Sequence, residues 1–171
     1  MLKVSRILGG RLLTAYAIPS ILYHGGRPGY TKLTPSTFRT GIYLTDSIKM
    51  AASFGMEIYE VKVTGVSNPF VLDVQGEYYS EIPTPQCMKD EGWTYHKVDT
   101  GEIANYALDK GYDCVILQNI TEGFSGGGCG LSQQTGTEYI IMNESQVQII
   151  SSASTRDILI KLDPGWRYIL K

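Results

Sequence analysis

Short apolar segments, cut apart by glycine, proline and polar turn residues, run along most of this chain, and helical patterns are few. Residues 58–63 (IYEVKV) alternate apolar and polar, which buries one face of a strand. Residues 20–24 are apolar and stop at the turn signal Gly25-Gly26. Further strands are read at residues 41–45, 70–74, 114–117, 138–142 and 147–150. Asp46 is read as the cap of a helix over residues 47–54 that Gly55 ends. Thr100 is read as the cap of a helix through Lys110, with Ile103, Ala107 and Leu108 on one apolar face and Gly111 beyond it. Residues 33–38 suggest a short helical turn, and residues 75–99 an irregular excursion with one short helix. Strands joined mostly by short turns predict an antiparallel α+β domain and argue against alternating βαβ units. No G-x-G-x-x-G follows a strand, so a dinucleotide would have to be held by some other device.

The chain has 171 residues, enough for one domain with a sizeable core, taken here as residues 1–171. A net charge of −2 supplies no general basic field for a nucleic-acid backbone. Cys87, Cys114 and Cys129 form no C-x-x-C pair and have no paired histidine spacing, so neither a metal site nor a disulfide framework is expected. Reduced thiols fit the cytoplasm, of the producing cell or of a target cell. The N-terminus imitates a signal peptide faintly, but Gly9, Gly10 and Arg11 interrupt its apolar stretch. No run is long enough for a membrane span.

Three separated segments carry the chemistry. They are Leu22-Tyr23-His24-Gly25-Gly26, then Gly41-Ile42-Tyr43-Leu44-Thr45-Asp46 followed by Phe54, and finally Glu138-Tyr139-Ile140-Ile141 running on to Gln146-Val147. In order and local pattern this set resembles the catalytic core of the poly(ADP-ribose) polymerase and diphtheria-toxin class of ADP-ribosyltransferases. The resemblance covers residues 20–150 in outline and is specific in the three segments. It implies two packed antiparallel β-sheets with a central NAD cleft and a few short helices. It also implies NAD as substrate, with no metal.

By that resemblance Glu138 is the catalytic carboxylate, and His24 and Tyr43 complete a His-Tyr-Glu set. His24 would hold the adenosine ribose and the main chain of Gly25 the nicotinamide amide. Phe54 would stack on the nicotinamide ring while Tyr43 closes the other side. Taken alone, Glu138 would be an idle residue at a strand entrance and the two aromatics ordinary core; the flanking matches give them roles. Two positions depart from the pattern. Ala51 stands where the polymerases carry a serine for the nicotinamide amide, and Gly136 is not the Glu or Gln of transferases that modify arginine.

Cleavage of NAD builds positive charge on the ribose, and one carboxylate, two aromatic faces and a polar anchor suffice to favour it. The implied activity is transfer of a single ADP-ribose to a protein or nucleic-acid acceptor, in a bacterial or phage effector or toxin. Cleavage with water as acceptor, a NAD glycohydrolase, is the alternative. Residues 119–137 are long, polar and glycine-rich, and the stretch 121–137 with Phe124 is the expected acceptor contact. A cysteine hydrolase using Cys129 with His24 or His96 is a weaker reading, since such a nucleophile is usually placed at a helix N-terminus.

Overall fold

The computed structural model describes residues 3–8, 11–122 and 133–165, without the side chains of the first two strands. Those strands, β1 (Lys3–Leu8) and β2 (Arg11–Tyr16), pair antiparallel.

The chain then runs through β3 (Ile21–Gly26), β4 (Ile42–Thr45), α1 (Ile48–Ala52), β5 (Glu57–Val63) and β6 (Pro69–Asp73). A short ribbon, β7 (Ile82–Pro83) with β8 (Lys97–Val98), encloses α2 (Gln86–Asp90). There follow α3 (Thr100–Asp109), β9 (Cys114–Glu122), β10 (Gln134–Ile141), β11 (Val147–Ser154) and α4 (Thr155–Leu162). The α+β class is as expected.

The main sheet has seven strands in the order β11-β5-β3-β4-β10-β9-β6, and is mixed because β6 lies parallel to β9. The expected pair of packed antiparallel sheets is therefore corrected to one mixed sheet, with small two-stranded ribbons beside it. This sheet has a weak seam. β3 and β4 pair only where Tyr23 faces Thr45, whereas β3 pairs with β5 along its whole length. Past that single pair the ladder is open, and the cleft described below lies there.

Alternation along β10 divides the core. Ile140 joins Val115, Leu117, Ile103 and Met88 under α3, while Tyr139 and Ile141 join Leu22, Leu44, Val61 and Ile116 on the other face. With both faces buried, β9 reads as the continuous apolar run CVIL.

Several local expectations change. Residues 33–38 form no helix; they belong to an irregular strap between β3 and β4. Ser47, not Asp46, caps α1, its hydroxyl accepting from the Met50 amide at 3.2 Å. Asp99, not Thr100, caps α3, because Glu102 three residues on completes a reciprocal capping box. Leu108 faces solvent, and Ala104 and Tyr106 are buried instead. The stretch 119–137 is no single loop, since β9 reaches Glu122 and β10 begins at Gln134. Phe124, Gly126, Gly127, Gly128 and Cys129 lie outside the described residues. No helix among the described residues is long and apolar enough to cross a membrane.

Candidate active site

The cleft at the seam has a volume of about 500 Å³, within the range of small-molecule sites. His24, Gly25, Tyr43, Phe54 and Glu138, named separately from the sequence, all line it. Each arrives from a different place. His24 and Gly25 end β3, Tyr43 is central in β4, Phe54 follows α1, and Glu138 sits in β10 opposite Thr45 of β4.

The Nδ1 of His24 lies 2.9 Å from the main-chain carbonyl of Tyr43. A carbonyl only accepts, so Nδ1 carries the proton and Nε2 keeps a lone pair. Burial lowers the His24 pKa from its ordinary value, favouring that neutral form, although the bond to Tyr43 opposes the shift. The ring thereby bridges the two strands where their backbone ladder has lapsed, and leaves an acceptor for a ligand hydroxyl.

Glycines set how closely β3 and α1 approach. A Cβ on Gly25 would come within 1.7 Å of the Ala51 carbonyl oxygen, so this glycine is required by the helix packed on it. A Cβ on Gly55 would come within 2.1 Å of the Gly26 carbonyl oxygen. These contacts fix Phe54, half-buried beside Met50, against the strand that bears His24. Ala51, buried at the cleft wall, presents no polar group there.

Glu138 is buried, and its Oε2 has no hydrogen-bond partner. Burial pushes its carboxyl well above the usual range, the nearby Glu122 pushes it further, and Arg39 opposes both. The Tyr43 hydroxyl is likewise buried, with Thr100 beside it; burial and the charge of Glu138 raise it to about 12, against the pull of Thr100 and Arg39. Unsatisfied buried polar groups are rare and costly. The Glu138 oxygen marks where a polar ligand would complete the bonding.

Sequence reasoning missed Arg39 and Glu122. Arg39 comes from the strap, its guanidinium 5.4 Å from the centre of the Tyr43 ring and 5.9 Å from that of Tyr79. It offsets the charge of both glutamates. The strap also brings Tyr30, whose ring centre is 6.1 Å from that of His24 and 5.5 Å from that of Tyr59. Tyr59 pins the turn by accepting from the Tyr30 amide at 3.0 Å and donating to the Arg27 carbonyl at 2.7 Å. An exposed ion pair, Lys32 with Glu144 at 2.7 Å, ties the strap on its far side.

The cysteine reading rests on Cys129, which lies outside the described residues. Cys87 is exposed, and Cys114 is buried with its thiol raised to about 12 by burial. Neither Cys87, Cys114 nor His96 lines the cleft. Among the described residues no three His, Cys, Asp or Glu are grouped to hold a metal.

Fold and site together define an α+β domain whose cleft joins a neutral histidine, two aromatic rings and a buried carboxylate. Comparison with models of known protein families, with curated proteins and with solved structures finds no match to this chain.

Proposed function

We propose that this protein cleaves the nicotinamide–ribose bond of NAD and transfers the ADP-ribose to an acceptor. One observation carries the reading. Glu138, with a buried unpartnered oxygen, faces one cleft with His24, Gly25, Tyr43 and Phe54, residues drawn from three motif segments far apart in the chain.

In this reading Phe54 and Tyr43 hold the nicotinamide ring between aromatic faces. His24 Nε2 accepts from a hydroxyl of the adenosine ribose. The bond from C1′ of the ribose to the ring nitrogen breaks, and its electron pair neutralises the pyridinium as nicotinamide leaves. Glu138, ionised, stabilises the positive charge that develops on the ribose; such preorganised electrostatics are usually the largest catalytic contribution. The acceptor then bonds to C1′ and its proton passes to solvent water. No general acid is needed, since the leaving group departs neutral.

The test is nicotinamide release from NAD by the full chain, alone and with a cell lysate, using NAD labelled in the ADP-ribose part. Release together with label on lysate protein or nucleic acid supports transfer; release alone makes water the acceptor. No release in either condition would sink the proposal.

A further inference from the structure

The strap between β3 and β4 forms a large part of the cleft wall, and the chemistry above gives it no role. Residues 27–40 hold three cations, Arg27, Lys32 and Arg39, and no Asp or Glu, in a chain with 17 acids against 15 bases. All three cations line the cleft. Charges of one sign on an open surface are merely solvated. Along a concavity, the low-dielectric walls focus their field on whatever enters.

Arg27 follows His24 by three residues and Arg39 precedes Tyr43 by four. His24 and Tyr43 are joined at 2.9 Å, so the strap leaves and returns at the seam. Its cations therefore line the same cavity as the two residues given to the ends of a dinucleotide. The charge of such a ligand lies in its middle, on the diphosphate.

The three side chains are free to meet phosphate oxygens. Tyr59 holds the main chain of Arg27 at 2.7 Å, while the Arg27 side chain makes no ion pair among the described residues. Arg39 has none either; it lies 5.4 Å and 5.9 Å from the ring centres of Tyr43 and Tyr79. Contact with a ring face leaves the in-plane N–H donors of a guanidinium open. Lys32 is paired with Glu144, but both partners are largely exposed, and a pair of that kind is weak enough to exchange. At the nicotinamide end, by contrast, Ala51 offers no polar group.

We propose that the strap is a diphosphate clamp, in which Arg27, with Lys32 and Arg39, binds the diphosphate of an adenine nucleotide and supplies most of the affinity of the cleft. ADP-ribose then binds about as tightly as NAD, and free nicotinamide far more weakly. Affinity falls as salt screens the exposed cations. The clamp is tested with ADP and needs no cleavage of NAD; only its place at the middle of NAD rests on the functional reading.

The full chain is titrated calorimetrically with ADP, adenosine, ADP-ribose, nicotinamide and NAD, at low and at physiological salt. Expected is ADP bound at least about tenfold more tightly than adenosine, a gap that narrows with salt. Arg27→Gln should weaken ADP about tenfold and leave free nicotinamide unchanged, with Arg27→Lys in between. Lys110→Gln makes the same change of charge away from the cleft and should leave ADP binding native. ADP bound no more tightly than adenosine, or without regard to salt, refutes the clamp, and the native titrations decide this even if a variant misfolds. Equal losses in Arg27→Gln and Lys110→Gln would reduce the effect to net charge and overturn it as well. NAD bound far more tightly than ADP-ribose would return the affinity to the nicotinamide pocket. Salt-sensitive ADP binding without nicotinamide release from NAD overturns the functional reading and leaves the clamp standing.

Discussion

The Nδ1 of His24 donates to the Tyr43 carbonyl at 2.9 Å, so the first two motif segments are joined through the imidazole at the place where their strands stop pairing. Because the proton stays on Nδ1, the cleft side of the ring is an acceptor in the free protein.

Glu138→Gln should leave NAD affinity close to native while nicotinamide release falls about a hundredfold or more, the usual cost of removing a group that acts on transition-state charge. Stability should not fall, since the substitution removes a buried carboxyl whose ionisation burial disfavours. Release rates and calorimetry on the same preparation check this. Native turnover would exclude Glu138 from catalysis.

Phe54→Ala should weaken NAD and free nicotinamide alike. Phe54 is only half-buried, so its loss should cost less than the roughly 3–5 kcal/mol of a fully buried phenylalanine. A melting curve beside a binding isotherm separates the two effects. A large fall in stability with native affinity would return Phe54 to the core.

Gly25→Ala and Gly26→Ala should differ in kind. At Gly25 the new methyl meets a main-chain carbonyl at 1.7 Å, which only a shift of α1 can relieve, so the melting temperature should fall by several degrees. At Gly26 it meets the Tyr30 ring at 2.7 Å, and that side chain is partly exposed and free to swing. The second variant should therefore stay near native stability and lose NAD affinity. Equal melting temperatures would contradict the packing argument.

Glu122→Gln should stabilise the protein in a pH-dependent way. The Glu122 carboxyl moves from an ordinary 4.5 to about 7 on folding, so between those values the folded state binds more protons than the unfolded one. Folding stability contributed by this group is complete below about 4.5 and is lost as pH rises through 7. The melting temperature of the variant minus that of the native chain should grow across that window and then level off. A difference independent of pH would mean that Glu122 is not held protonated by the fold.

His24, Tyr43, Phe54 and Glu138 could be named from sequence because each sits in a short segment whose neighbours in the chain are also its neighbours in space. Glu122 could not. Its face depends on a one-residue bulge, and by strict alternation from Leu117 it would point away from the cleft. Arg39 lies in a strap without periodicity, anchored by Tyr59 and Glu144 from distant strands and turns. The helix caps were each misplaced by one residue for a local reason. Asp46 and Thr100 are adequate caps by type, but Ser47 and Asp99 are the residues whose side chains reach the third amide. The expected long loop shrank because Thr121 and Thr135 look like loop residues, yet they pair across the hairpin.

Backbone contact between β3 and the helix turn around Phe54, through Gly25 and Gly55, makes the spacing from histidine to aromatic ring a property of main chain alone. Side-chain variation elsewhere in the core cannot widen or narrow it. Resizing this pocket for a larger or smaller ring is therefore a matter of changing residues 51 and 54 themselves, at a fixed separation. A designer would treat the strand and helix as one casting and the two side chains as its interchangeable inserts.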